Sequence, residues 1–233
     1  MKRFGVIIPS SNTTVEAEFN NILSGYASLH VGRIRLRNVN VGELDRFADD
    51  VSAEAEKLSD AGIDVLGLAC TSGSFVRGSR QYEELERLMT EISSVPSIST
   101  SGAVLRSLKQ LGCRRIALVT PYTQDVTKLE ERLLTDNGFE VVSTRYASIV
   151  DNLVIGRVRE EEVSRMVLES GWRDADCVFI SCTNLRTFGI LHALENELGI
   201  PVISSNSATL WDMARRAGLK SFRPVLGRLF TMI

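Results

Sequence analysis

The chain repeats itself at a fixed spacing. Gly5-Val-Ile-Ile-Pro9 returns as Ala117-Leu-Val-Thr-Pro121, and Asp64-Val-Leu-Gly-Leu-Ala-Cys70-Thr71 returns as Asp176-Cys-Val-Phe-Ile-Ser-Cys182-Thr183. The offsets agree: 121 − 9 = 112 and 182 − 70 = 112. A third pair, Pro96-Ser-Ile-Ser-Thr100 with Pro201-Val-Ile-Ser-Ser205, lies at 201 − 96 = 105, which implies a short deletion in the second half. Two halves written this way must fold as two similar units. Each unit carries a Pro-containing loop after its first strand and a Cys-Thr loop after a later one.

Short β-branched runs alternate with longer amphipathic ones, the pattern of an α/β fold with parallel sheets. The predicted strands are Gly5 to Ile8, Arg33 to Leu36, Val65 to Ala69, Ser97 to Ser99, Ile116 to Thr120, Val141 to Tyr146, Cys177 to Ser181 and Val202 to Ser204. Val15, Phe19, Ile22 and Leu23 share one helix face, with Thr13 and Glu16 placed as a capping box. In parallel α/β sheets ligands bind beyond the carboxyl ends of the strands, where loops enter helix N-termini. Both Cys-Thr loops sit there. Halves packed mouth to mouth would bring Cys70 and Cys182 to opposite walls of one cleft, and no Pro-, Gly- or Ser-rich linker separates them.

Composition removes several functions. The 233 residues are 44% hydrophobic, ample for a core, and the net charge of −2 comes from mixed charges without a basic block, which argues against nucleic acid. The apolar stretch Phe4 to Ile8 is too short for a signal peptide, and no segment approaches the roughly 20 apolar residues of a membrane span, so a cytoplasmic protein is expected. Four cysteines are too sparse for a disulfide scaffold and read as thiols. No dinucleotide or phosphate-loop glycine motif occurs, the two histidines His30 and His192 have no zinc-type spacing with cysteine, and neither has a nucleophile elbow beside it. What remains is chemistry by side chains alone, with no cofactor and no metal.

Paired thiols suit the movement of protons or bonds at carbon next to a carboxylate, because a thiolate is both nucleophile and base. A thiol pKa of about 8.5 falls beside backbone amide donors, which Thr71-Ser72-Gly73-Ser74 and Thr183-Asn184 are placed to supply. A lone cysteine ending an apolar strand is usually a core thiol. Recurrence at a matched offset, each time before a small polar loop, favours catalysis for Cys70 and Cys182. Cys113, in a turn, and Cys177, inside an apolar strand, read as structural. Pro9-Ser-Ser-Asn-Thr-Thr14 offers Ser11, Asn12 and neighbouring hydroxyls at a helix N-terminus, either as a neutral carboxylate cradle or as ordinary capping. Tyr122 follows the equivalent proline and is placed either to donate to enolate charge or to pack. Asn152 reaches the site or serves a turn. Arg77, Arg80 and Arg186 follow the cysteine loops as weaker carboxylate partners, and Arg33, Arg35 and Arg37 read as the wet face of a strand.

The motifs Pro9-Ser-Ser-Asn-Thr-Thr14, Ala69-Cys-Thr-Ser-Gly73, Val119-Thr-Pro-Tyr-Thr123, Ser181-Cys-Thr183 and Val202-Ile-Ser-Ser-Asn206 resemble the aspartate/glutamate racemase superfamily, and within it the maleate cis-trans isomerases, over nearly the whole chain. The resemblance implies two four-stranded parallel α/β domains related by a pseudo-twofold axis with the active site between them. It implies a final helix, about Asn206 to Ala217, that returns to the first domain, giving domains of 1–98 plus 206–233 and 99–205. It further implies a homodimer acting on a small dicarboxylate. Cys70 would add as thiolate to the double bond of maleate and Cys182 would serve as acid and base at the neighbouring carbon. Asn12, Tyr122 and Asn152 match positions that hold carboxylates, with Ser11, Thr71, Ser72 and Thr183 beside them. The stretch Ser181-Cys-Thr-Asn-Leu-Arg-Thr187 looks closer to decarboxylases and ectoine-utilisation proteins of the superfamily, whereas arylmalonate decarboxylases lack the first-half thiol. A racemase, epimerase or decarboxylase of this superfamily, and a non-catalytic small-carboxylate binder, are the alternatives.

Overall fold

Strands buried on both faces need helices above and below them, and a parallel sheet provides that cover through its crossover connections. In this computed structural model, which describes residues 1–233, the strands Val65–Leu68 and Cys177–Ile180 are buried along their whole length. The first sheet contains β1 (Lys2–Pro9), β2 (Ala27–Ile34), β3 (Val65–Leu68) and β4 (Ser97–Ser99) in the order β2-β1-β3-β4. The second contains β5 (Arg115–Thr120), β6 (Glu140–Tyr146), β7 (Cys177–Ile180) and β8 (Val202–Ser204) in the order β6-β5-β7-β8. Every pairing within both sheets is parallel. The helices of the first half are α1 (Val15–Leu23), α2 (Val41–Asp49), α3 (Val51–Ser59), α4 (Gln81–Ser93) and α5 (Thr100–Gln110). Those of the second are α6 (Gln124–Asp136), α7 (Asn152–Ile155), α8 (Glu160–Leu168), α9 (Leu191–Leu198) and α10 (Ser205–Arg216).

The repeat read from the sequence is present in the register of the sheets. Phe4 opposes Val65 and Ile116 opposes Cys177, both shifted by 112 (116 − 4 and 177 − 65). Leu66 opposes Ser97 and Val178 opposes Val202, reproducing the offsets 178 − 66 = 112 and 202 − 97 = 105. One departure is local. A register shift between Ile116 and Ala117 displaces β6 by one residue, so Arg115 pairs with Glu140 but Thr120 pairs with Tyr146.

Two expectations need correction. The second strand runs over Ala27–Ile34 rather than Arg33 to Leu36. The exposed Arg33, Arg35 and Arg37 do alternate with buried Ile34 and Leu36, but β1 ends at Pro9 opposite Ile34, and beyond it the Ser10 and Ser11 hydroxyls bond the Leu36 carbonyl in place of a ladder. Residues 27–32 escaped the sequence reading because an edge strand carrying Ser28, His30 and Gly32 is only partly buried and lacks the apolar signature. The capping box of Thr13 and Glu16 does not form. Asn12 Oδ1 accepts from the amides of Thr14 and Val15 at 2.9 and 3.0 Å, the Thr13 amide turns to Asn184, and Glu16 pairs with Arg33.

The final helix α10 packs on α5, β3 and β4, elements of the first half, as well as on β8. Gly67 makes the approach to β3 possible: a Cβ there would lie 2.6 Å from Met213 Sδ. Charge fixes the same helix. Asp212, fully buried, accepts from Arg106 of α5 at 2.8 Å and from Arg215 at 3.1 Å, and Arg106 also meets Glu86 of α4 at 2.7 Å. Removing one member of a buried pair strands the other, at a cost of about 3 kcal/mol or more. Arg106 keeps Glu86 when Asp212 is lost, so Asp212→Ala is expected to lower the unfolding free energy by less than that, about 2 kcal/mol in urea denaturation.

Candidate functional site

Each cysteine stands two residues beyond its strand, Cys70 after Leu68 of β3 and Cys182 after Ile180 of β7, at the carboxyl ends of the sheets. The two loops touch. Thr183 Oγ1 donates to the Ala69 carbonyl at 3.0 Å, so the residue after one cysteine binds the residue before the other. Ser205, opening α10, accepts from Thr71 Oγ1 at 2.8 Å and from the Cys182 amide at 3.0 Å. Both thiols are buried, with 3% and 5% of their surface exposed. They differ in backbone. Cys182 has φ +97°, a region that L residues seldom occupy and that costs about 1–3 kcal/mol. Cys70 leads into a short 3₁₀ turn over Ser72–Ser74, in which Gly73 lies so close that a Cβ would come within 2.9 Å of Cys70 Sγ. Cys70 is thus met by a backbone amide, and Cys182 is held in a strained turn.

The polar residues singled out in the sequence converge around these loops. Asn12 Nδ2 donates to Thr183 Oγ1 at 3.2 Å, and Asn152 Nδ2 donates to Ser11 Oγ at 2.8 Å. Each amide group carries two hydrogens, so one hydrogen of each remains for another acceptor. Asn184 ties these parts together: its Oδ1 accepts from the Thr13 amide at 2.8 Å and its Nδ2 donates to the Asn152 carbonyl at 2.6 Å. The loops after β2 and β6 close over the same side. Asn38 and Asp151 form an antiparallel bridge, Val39 N reaches Val150 O at 2.8 Å, and Asn152 N reaches Arg37 O at 3.0 Å. Tyr122 is buried, which raises its pKa; a charge on Cys182 raises it further, the Ser181 side chain lowers it, and Tyr122 in turn lowers the pKa of Cys182.

Burial, rather than donors, sets the resting state of the thiols. Desolvation pushes Cys70 up to about 12, against the Gly73 amide and the Ser72 hydroxyl, which pull the other way; a charge on Cys182 pushes it further up. Cys182 rises to about 11 for the same principal reason, opposed by the Asn184 amide and Tyr122 and reinforced by Glu130. The expected donors are in place, yet the net shift is upward because no cation accompanies them. Asn12, Asn152, Thr71, Thr183, Asn184, Ser205 and Tyr122, the groups that meet here, are all uncharged. A site of this kind stabilises a thiolate only as far as hydrogen bonds allow, and it offers acid as well as base.

The remaining sequence candidates lie elsewhere. Arg77 is paired with Asp45 and Asp49, Arg80 with Glu83, and Arg186 is exposed. Cys177 opens β7 at the end opposite Cys182 and contacts Cys113, consistent with the structural reading of both. His30 bonds Ser28 and His192 bonds Asn196, away from the cysteines. The sequence reading missed Ser205, Glu18 and Glu130. Glu18 of α1 crosses to the second half, accepting from the Thr187 and Phe188 amides at 2.6 and 2.9 Å and from Asn206 Nδ2 at 2.6 Å, and so holds the loop that follows Cys182. Its signal was faint: an acidic residue one position before the apolar Phe19 on an otherwise ordinary amphipathic helix.

The duplicated α/β architecture thus brings one cysteine loop from each half onto a neutral polar cluster. The chain belongs to the arylmalonate decarboxylase family, whose model matches residues 4–230. It is 29% identical to a maleate isomerase of Geobacillus stearothermophilus, over 98% of this chain and 97% of that protein, and 31% identical to an arylmalonate decarboxylase of Bordetella bronchiseptica, over 97% and 95%. Among solved structures, a cysteine-to-serine variant of Nocardia farcinica maleate cis-trans isomerase with a covalently bound succinylcysteine intermediate superposes with TM-score 0.94 at 27% identity, covering 98% of each chain. The superfamily read from the motifs, and its two-sheet fold, are borne out. No helix is long and apolar enough to cross a membrane.

Glu18 gives this region a pH signature. Burial raises its pKa from 4.5 to about 7 in spite of its hydrogen bonds. A raised folded-state value means that stability is full below the unfolded value and is lost as pH climbs through the folded one. The denaturant midpoint is therefore expected to fall between pH 4.5 and about pH 7, and Glu18→Gln is expected to flatten that fall when unfolding is followed by circular dichroism.

Proposed function

We propose that this protein is a cofactor-independent maleate cis-trans isomerase, with Cys70 as nucleophile and Cys182 as acid and base. The observation that carries the reading is the pair of buried thiols on facing loops, tied to each other through Ser205 and between Thr183 and Ala69. Cys70 gives up its proton to solvent and adds as thiolate to one alkene carbon, and the π electrons move to the neighbouring carbon, which takes the proton of Cys182. The former double bond now rotates. The Cys182 thiolate then withdraws a proton, the double bond re-forms, and Cys70 leaves as thiolate with fumarate as product. The succinylcysteine held by the Nocardia farcinica relative is an adduct of this type.

In this reading Asn12 and Asn152 use their free amide hydrogens on the substrate carboxylates, and Tyr122 donates to the charge that develops between them. The hydroxyls of Ser11, Thr71, Ser72 and Thr183 stand beside these groups in the same reading, Ser11 bonded to Asn152 and Thr183 to Asn12. The Gly73 amide and Ser72 hydroxyl, which lower the Cys70 pKa against burial, stabilise its thiolate as attacking and leaving group. The reading also divides the chain into domains of 1–98 plus 206–233 and 99–205, and takes the enzyme to be a cytoplasmic homodimer. The presence of Cys70 favours isomerisation over decarboxylation, since decarboxylation needs only one thiol to return a proton.

The deciding experiment is proton NMR of maleate with the purified protein in deuterated water. Fumarate is the expected product, and its absence with a well-folded sample overturns the substrate. Deuterium entering a chiral acid without a Cys70 adduct would instead establish a racemase. Cys70→Ser is expected to keep the circular dichroism spectrum and to lose turnover by roughly a thousandfold or more, as removal of a catalytic nucleophile does.

A further inference from the structure

The repeat that places the two cysteines also places two buried carboxyls. Glu130 of α6 and Glu18 of α1 lie 130 − 18 = 112 residues apart, the spacing that relates Cys182 to Cys70. Their surroundings differ. Glu18 has three hydrogen-bond donors, two of them backbone amides. Glu130 has no exposed surface, receives one hydrogen bond, from Ser181 Oγ to Oε1 at 2.6 Å, and leaves Oε2 without any partner. It takes part in no ion pair, whereas a carboxylate of this burial requires a cation or several donors. The residue that binds it is the one immediately before Cys182.

We propose that Glu130 is a positioning residue for Cys182: its buried carboxyl, bound to Ser181 and otherwise unpartnered, is held as the neutral acid so that Cys182 can become a thiolate during turnover, and its ionisation opposes that step. The proposal rests on the isomerase reading for the word turnover, and on geometry for the coupling. The ionisable groups that act on one another here are few. Glu131, on the same helix, disfavours a charge on Glu130. Tyr122, from the loop after β5, and Cys182, beyond β7, are both pushed up by a charge on it. No cation accompanies any of these influences. Burial raises the Glu130 pKa from 4.5 to about 8, below the thiol values of about 11 and 12, so in rising pH the carboxyl ionises before either cysteine. Ionisation of Glu130 thus places a negative charge beside Cys182 before the thiol itself can titrate.

Two measurements test this, one of them independent of substrate. The Cys182 thiolate is titrated by its ultraviolet absorbance in Cys70→Ser protein, with the Cys70→Ser/Cys182→Ser double variant as blank, with and without Glu130→Gln. Glu130→Gln is expected to lower the Cys182 midpoint by about one pH unit, and coincident curves overturn the proposal. The second measurement is the pH dependence of maleate turnover. The wild type is expected to lose kcat above about pH 8, and Glu130→Gln to abolish that limb with KM unchanged. Ser181→Ala keeps the carboxyl but removes the one hydrogen bond that favours its charge, and is expected to move the limb to higher pH. It serves if Glu130→Gln does not fold, and an unmoved limb in a folded Ser181→Ala protein overturns the proposal. Absence of maleate turnover in every protein defeats the isomerase reading alone, because the thiol titration still decides the coupling.

Discussion

One hydroxyl group joins the two cysteine loops. Ser205 Oγ receives the Thr71 hydroxyl from one half and the Cys182 amide from the other, at the point where β8 passes into α10. The site is therefore set by the same residue that begins the helix returning to the first sheet. Asp212, two turns further along α10, anchors that helix to Arg106, and Thr209 between them meets Thr100 of α5 at 2.9 Å. Packing of one helix and alignment of two thiols are consequences of a single crossing.

The chemistry of the site follows from what was left out of it. Backbone amides and hydroxyls approach both sulfurs, but no cation does, and burial outweighs the donors. A permanently ionised pair of thiols would repel an anionic substrate as well as each other. A pair held as neutral thiols meets a dicarboxylate without that repulsion, and hydrogen-bond donors become valuable only as negative charge moves onto sulfur. Such preorganised donors favour the transition state more than the ground state.

Much of this was legible in the sequence because the fold is written twice. The offset of 112 residues is a statement about register, and the pairings Phe4 with Val65 and Ile116 with Cys177 repeat it. Cys70, Cys182, Asn12 and Tyr122 stood out because they follow strands at matched places in the repeat, and Asn152 because it matches a position of the family. What periodicity could not reveal were residues whose importance lies in the partner across the cleft. Glu18 is an unremarkable acid on an amphipathic helix until it crosses to Thr187 and Phe188, and Ser205 is one serine among several until two loops meet on it. The edge strand Ala27–Ile34 was misplaced for the opposite reason: its burial is partial, so its sequence carries little apolar pattern.

The shift between Ile116 and Ala117 is where the two copies stop being interchangeable. Upstream of it β5 and β6 pair as β1 and β2 do, and downstream every partner has moved by one residue. The loops that follow β2 and β6 therefore leave their sheets in different phase, and these are the segments that zip together at Asn38 and Asp151. A symmetric protein assembled by repeating either half would carry two such slips or none. In both cases identical lips would face each other across the cleft, and the unequal seam that now closes it would have no counterpart.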